Sequence, residues 1–203
     1  MKALIFDIDG TLLVSSAEDD RLYRRAVGQV LGSVSFRDNL HDYAHVSDTG
    51  ILTQVFEDNG VALEQSLFDA VKSAFFAALE EHIAEYGPFS EVPGAADYLR
   101  RIMDSPNHEF AIATGGWRES ARMKLGAAGL PCDDAPLASS DDAVDRADIM
   151  RHALRSLSGE FSSVTYYGDG PWDRSASEAL GWDFIGVGRA IAGIDTYHGE
   201  LLE

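Results

Sequence analysis

The stretch Met1-Lys-Ala-Leu-Ile-Phe-Asp-Ile-Asp-Gly-Thr-Leu-Leu-Val-Ser-Ser16 decides how the chain is read. A short apolar run, Ala3–Phe6, gives way at once to Asp7, Asp9, Gly10 and Thr11. On an extended chain residues i and i+2 lie on one side. Asp7 and Asp9 would then face the same way at the end of a strand. Two carboxylates held close repel each other and favour protonation, and a metal ion is the simplest group to offset that cost.

Outward from this strand, short apolar runs alternate with segments of helical period, the pattern of a parallel α/β sheet. Strands are expected at Lys2–Phe6, Glu109–Thr114, Pro136–Ser139, Val164–Tyr167 and Asp183–Val187. Helices are expected between the later strands, near Gly94–Met103, Arg118–Gly126, Ala147–Leu157 and Trp172–Leu180. Each is long enough to make a right-handed crossover. The segment between the first two strands breaks the rhythm and reads as helix after helix. Leu67, Phe68, Val71, Ala74, Phe75, Ala78, Leu79 and Ile83 form one helical stripe. Leu22, Tyr23, Ala26, Val27, Val30 and Leu31 form another that packs against it. A Pro- and Gly-rich linker, Gly87–Gly94, closes the region. The expectation is an α/β core of residues 1–15 and 88–203, a Rossmann-like parallel sheet, interrupted by an all-helical domain of residues 16–87.

Composition narrows the function. With 203 residues, 45% of them hydrophobic, the chain buries a core of ordinary size. A net charge of −18, from 34 acidic and 16 basic side chains, repels a nucleic-acid backbone. It leaves room for a small phosphorylated substrate if a cation supplies the local field. Cys132 is the single cysteine, so no internal disulfide forms, which suits a reducing cytoplasm. No run approaches a membrane span, and no signal-peptide pattern opens the chain. Paired ligand histidines on one helix are lacking, which argues against zinc.

Ligands of open α/β sheets bind beyond the carboxyl ends of the strands. Asp7 and Asp9 fall there, as do Thr114-Gly115-Gly116 and Gly168-Asp-Gly-Pro-Trp-Asp173. Three strand ends thus gather four carboxylates, a hydroxyl and several glycines. An oxygen-only donor set of this kind suits magnesium. Taken singly, Asp before Gly is turn chemistry and Thr114 is a helix cap.

In this order the motifs resemble those of the haloacid dehalogenase-like hydrolase superfamily. Asp7-Ile8-Asp9-Gly10-Thr11 is similar to its first motif, the strand ending in Thr114 to its second, and Gly168–Asp173 to its fourth. The helical insert resembles the C1-type cap of phosphoglycolate phosphatase-like members. The resemblance implies an aspartyl-phosphate formed on Asp7, with Asp9 as acid and then base. It implies Mg²⁺ held by Asp7, the Asp9 backbone carbonyl and Asp169, with Asp173 supporting the metal. Thr114 and Gly115 would bind phosphate oxygens, with Gly116 beside them. Trp117 is assigned to the pocket wall, with a core position as the competing reading.

One part departs from the family pattern. Members carry a lysine, less often an arginine, between the second and fourth motifs. The lysines here are Lys2, Lys72 and Lys124, none just before the helix leading to the fourth strand. Arg146 stands there and is assigned that role; its competing reading is a surface charge pairing with Asp142 or Asp145.

The resemblance leaves several activities open. A Mg²⁺-dependent phosphatase of a small phosphorylated metabolite is the first. A β-phosphoglucomutase-like phosphotransferase shares the parts, with Thr11 favouring the phosphatase. A weakly active binding or regulatory protein remains, supported by the missing lysine. Dehalogenation is disfavoured by Asp9, and phosphonate hydrolysis by the mid-helix place of Lys72. Within the expected cap, Arg21, Arg24 and Arg25 either meet an anionic substrate or form a solvated face. The polar stretch His41, His45, Asp48 and Thr49 either faces the site or caps a helix. A monomer or homodimer is expected.

Overall fold

The computed structural model describes residues 1–199. Five parallel strands form one sheet in the order β3-β2-β1-β4-β5. They are β1 (Lys2–Phe6), β2 (His108–Ala113), β3 (Leu137–Ala138), β4 (Ser163–Gly168) and β5 (Asp183–Gly186). β1 lies in the middle, paired with β2 on one side and β4 on the other. A strand covered on both faces reads as a continuous apolar run, and Ala3, Leu4, Ile5 and Phe6 are all buried.

Alternation along β1 divides the core. Leu4 and Phe6 point to the face covered by α4 (Ala95–Met103) and α5 (Arg118–Ala128). Ile5 points to the other face, under α6 (Arg146–Arg155) and α7 (Pro171–Leu180). Phe6 stacks on Tyr167 with ring centroids 4.5 Å apart. Full burial of such a side chain stabilises the fold by about 1.5–3 kcal/mol.

Three α-helices stand between β1 and α4: α1 (Ser16–Leu31), α2 (Asp48–Asp58) and α3 (Gln65–Tyr86). Their apolar stripes meet. Leu22, Tyr23, Ala26 and Val27 of α1 are buried, as are Val71, Phe75, Ala78 and Leu79 of α3. This core is continuous with the one between the sheet and α4–α5. Trp117 joins them, with its ring 5.5 Å from Tyr23 and 5.8 Å from Phe75.

Differences from the expected elements are small and have local causes. β3 is shorter than Pro136–Ser139. Pro136 has no N–H to give the ladder, although its carbonyl accepts from Ile112 N–H. α6 begins one residue early because Asp145 caps it, accepting from the N–H groups of Ala147 and Asp148.

Candidate functional site

The carboxyl ends of β1, β2 and β4 open together on one edge of the sheet, where the strand order reverses about β1. A cavity of about 150 Å³ lies there, bounded on the far side by α1 and the segment entering α2.

β1 delivers Asp7, whose N–H donates to the Tyr167 carbonyl at 3.0 Å. β4 and the start of α7 deliver Asp169 and Asp173. One carboxylate oxygen from each of Asp7, Asp169 and Asp173 lies within 4.8 Å of the others. Gly10 makes this approach possible. Its φ of +76° suits glycine, and a Cβ there would stand 2.0 Å from Asp169 Oδ2.

Burial sets the electrostatics. It raises the Asp7 pKa well above the usual value; Arg146 opposes this, and Asp173, Asp169 and Asp9 add to it. Asp169 is pushed up to about 7 by burial, then by Asp173 and Asp9. Burial also raises Asp173, with Arg146 opposing. The Asp173 Oδ1 atom is buried and makes no hydrogen bond among the described residues. Three crowded carboxylates, one with an orphaned oxygen, fit a hard divalent cation, which accepts oxygen donors and relieves their repulsion.

Arg146, on the first turn of α6, reaches into this cluster. Its Nη1 is 3.4 Å from Asp7 Oδ1 and its Nε 3.5 Å from Asp173 Oδ1. Nη2 donates to the Val46 carbonyl at 3.0 Å. The guanidinium passes where Gly115 has no side chain, since a Cβ there would lie 2.6 Å from Nη2. Burial disfavours its charge, but Asp173, Tyr166 and Asp7 outweigh that and raise its pKa. The surface pairing with Asp142 or Asp145 is not what forms: Asp145 caps α6, and Asp142 pairs with Arg118.

Thr114, Gly115 and Gly116 line the same cavity. Thr114 is buried, and its Oγ1 accepts from Gly116 N–H at 3.1 Å. It does not cap a helix, because α5 starts only after Trp117.

The Trp117 assignment needs correction. Its side chain is buried in the aromatic cluster between α1 and α3, where Nε1 donates to Thr49 Oγ1 at 3.0 Å. An indole is large and apolar enough that the core captures it in preference to a wet pocket. Only its backbone serves the site, donating to Asp48 Oδ2 at 2.9 Å. Trp172, which the sequence did not single out, does line the cavity.

Asp9 lines the cavity too, but its carboxylate lies outside the three-carboxylate group. Both its oxygens accept from Lys124 Nζ at 2.6 Å, and Oδ1 also accepts from Ser15 Oγ at 2.5 Å. Lys124 was set aside in the sequence as misplaced for the family motif. It sits on the buried face of α5 with Ala121 and Leu125, and a lysine at a position of that apolar stripe was the available signal. Burial disfavours its charge, yet Asp19 and Asp9 outweigh this and raise its pKa.

The insert supplies Asp19, Asp20, Tyr23 and Asp48 to the cavity. Asp48 N–H donates to the Gly115 carbonyl at 2.8 Å, and Thr49 Oγ1 to the Ser140 carbonyl at 3.0 Å. Ser47 caps α2, so Asp48 and Thr49 are free to bind the loops that follow β2 and β3. Arg21, Arg24 and Arg25 instead pair with Glu18, Asp20 and Glu81 on an exposed face.

A family model for haloacid dehalogenase-like hydrolases matches residues 1–181. The chain belongs to that family. It is an enzyme of the hydrolase type, and the parallel α/β sheet with flanking helices is the family fold. No curated protein sequence matches it. Solved structures are similar over most of its length. A hydrolase from Pseudomonas syringae has TM-score 0.73 and 20% identity, covering 92% of this chain and 84% of its own. CbbY from Rhodobacter sphaeroides, in complex with phosphate, has TM-score 0.69 and 22% identity, covering 98% and 90%. A β-phosphoglucomutase from Clostridium difficile has TM-score 0.72 and 14% identity, covering 93% and 85%. At these identities the likeness is one of fold.

Among the described residues no helix is long and apolar enough to cross a membrane.

Proposed function

We propose that this haloacid dehalogenase-like hydrolase is a Mg²⁺-dependent phosphatase of a small phosphorylated metabolite in the cytoplasm, working through an aspartyl-phosphate on Asp7. The observation that carries the reading is the convergence of Asp7, Asp169 and Asp173 within 4.8 Å, with Arg146 beside Asp7. Mg²⁺ would be held by Asp7, Asp169 and the Asp9 backbone carbonyl, with Asp173 in support. When bound it supplies charge that lets a carboxylate approach a phosphate and stabilises in-line displacement.

The chain's own groups do the rest. An Asp7 oxygen attacks phosphorus, and the bond from phosphorus to the alcohol oxygen breaks. Asp9 gives that oxygen a proton. Lys124 must first release one Asp9 oxygen, because it now engages both. Water then attacks the aspartyl-phosphate, passes a proton to Asp9, and inorganic phosphate leaves Asp7. The Arg146 guanidinium and Thr114 hydroxyl bind phosphoryl oxygens, and Gly115 and Gly116 keep the floor open. Residues 16–87 act as a cap over a core of residues 1–15 and 88–203, excluding water from the reaction.

The test is release of phosphate from p-nitrophenyl phosphate. Release that needs Mg²⁺, stops with EDTA and is abolished by Asp7→Asn supports the reading. Equal release by Asp7→Asn, or none by the wild type with Mg²⁺, overturns it.

A further inference from the structure

The cavity has two ends of unlike character. At the sheet end, Arg146 is nine-tenths buried, and its Nε makes no hydrogen bond among the described residues, with Asp173 Oδ1 its ion-pair neighbour at 3.5 Å. Among the described residues it is the only lysine or arginine that lines the cavity. If phosphate is bound there, this cation is committed to it. At the insert end the charged lining is Asp19, Asp20 and Asp48.

The basic side chains nearby are already engaged. Lys124 Nζ lies 2.7 Å from Asp19 and 2.6 Å from Asp9, with the lysine side chain 1% exposed. Arg24 pairs with Asp20 at 2.8 Å, while Arg21 and Arg25 face away with Glu18 and Glu81. Asp48 has no ion-pair partner among the described residues. Its position is fixed from both sides. Its Oδ2 accepts from Trp117 N–H at 2.9 Å and its N–H donates to Gly115. Tyr23 Oη donates to the Asp48 carbonyl at 2.7 Å.

From this polarity, and taking the phosphatase reading above as the starting point, we infer that the substrate's leaving group is a small alcohol rich in hydrogen-bond donors and carrying no second anionic group. A carboxylate or second phosphate at the insert end would meet acidic side chains and, among the described residues, no unengaged lysine or arginine, so its charge would lose water with no cation to compensate it. Hydroxyl or ammonium groups would be received by the Asp48 and Asp20 carboxylates. The volume agrees with a small leaving group: 150 Å³ is the liquid volume of about five waters, room for a phosphoryl group and a few further atoms.

Binding separates this inference from the question of turnover. The probes are glycerol 3-phosphate, phosphoethanolamine and phosphoglycolate, titrated by calorimetry with Mg²⁺ into the Asp7→Asn protein. Glycerol 3-phosphate or phosphoethanolamine should bind at least about tenfold more tightly than phosphoglycolate. Which of the two is tighter tells a polyol from an amino alcohol. Asp48→Asn should narrow the gap, and Asp20→Lys, on an exposed position, should bring phosphoglycolate up. Phosphoglycolate binding as tightly as the others, or a gap unmoved by both variants, overturns the inference. Failure of p-nitrophenyl phosphate release would strike the phosphatase reading alone, since these affinities require no turnover.

Discussion

Lys124 Nζ stands 2.6 Å from both carboxylate oxygens of Asp9 and 2.7 Å from Asp19 Oδ1, so one buried ammonium ties the loop after β1 to the first helix of the insert. Removing one partner from such a set leaves uncompensated charge with little access to water. Lys124→Met should lower stability by about 3 kcal/mol in urea denaturation. A loss under about 1 kcal/mol would mean that the cavity solvates both carboxylates unaided.

Arg146 is placed to steady charge on Asp7 and on a bound phosphoryl group. Arg146→Ala should lower kcat by about 10²–10³-fold, the usual effect of losing one oriented donor at a developing charge. Arg146→Lys should recover only part, because a point charge cannot span Asp7 and the Val46 carbonyl as the guanidinium does. Wild-type kcat in Arg146→Ala would return this side chain to a structural role.

Metal removal should change how stability depends on pH. Burial, then Asp173 and Asp9, lift Asp169 to about 7, far above its value in an unfolded chain, about 4. Between these values the native state keeps a proton that the unfolded state has released. The Asp169 contribution is therefore fully present below about pH 4 and is lost as pH rises through about 7. In EDTA, Tm should fall across that window. Saturating Mg²⁺ should remove much of the slope by favouring the charged carboxylates. A metal-free Tm that rises from pH 4 to 7 would contradict the electrostatic account of the cluster.

Trp117 packs in the core while its N–H holds Asp48. Trp117→Ala should cost about 3–5 kcal/mol of stability. Trp117→Phe, which keeps a ring and the backbone N–H, should leave KM for a phosphate ester within about twofold, because the indole does not line the cavity. A large KM change in Trp117→Phe with stability intact would restore the pocket-wall reading.

Much of this was legible because it is written locally. The run Ala3–Phe6 reads as a buried central strand, and the stripes of α1 and α3 read as helices that face each other. Asp7, Asp169 and Asp173 could be grouped because strand ends in a parallel sheet share one edge. What was hidden depends on tertiary placement. Trp117 follows a glycine pair at a strand end, which looks like a pocket wall, yet a large apolar ring goes where most apolar surface is available. Lys124 lies 115 residues from Asp9 along the chain. Nothing local tells a lysine on an apolar stripe whether it will snorkel to water or find buried carboxylates. Asp19 and Asp20 both lie beside Arg21 in sequence, and nothing local tells which of them turns inward. Asp20 pairs with Arg24, but Asp19 turns inward to Lys124.

The account rests on carboxylates from the ends of β1 and β4 sharing one divalent ion, and ion binding tests that directly. Mn²⁺ titrated into the metal-free protein and followed by electron paramagnetic resonance should show one tight site per chain, displaced by Mg²⁺. Asp169→Asn should weaken that site by well over about tenfold. Wild-type Mn²⁺ affinity in both Asp169→Asn and Asp173→Asn would contradict the shared site and the mechanism built on it.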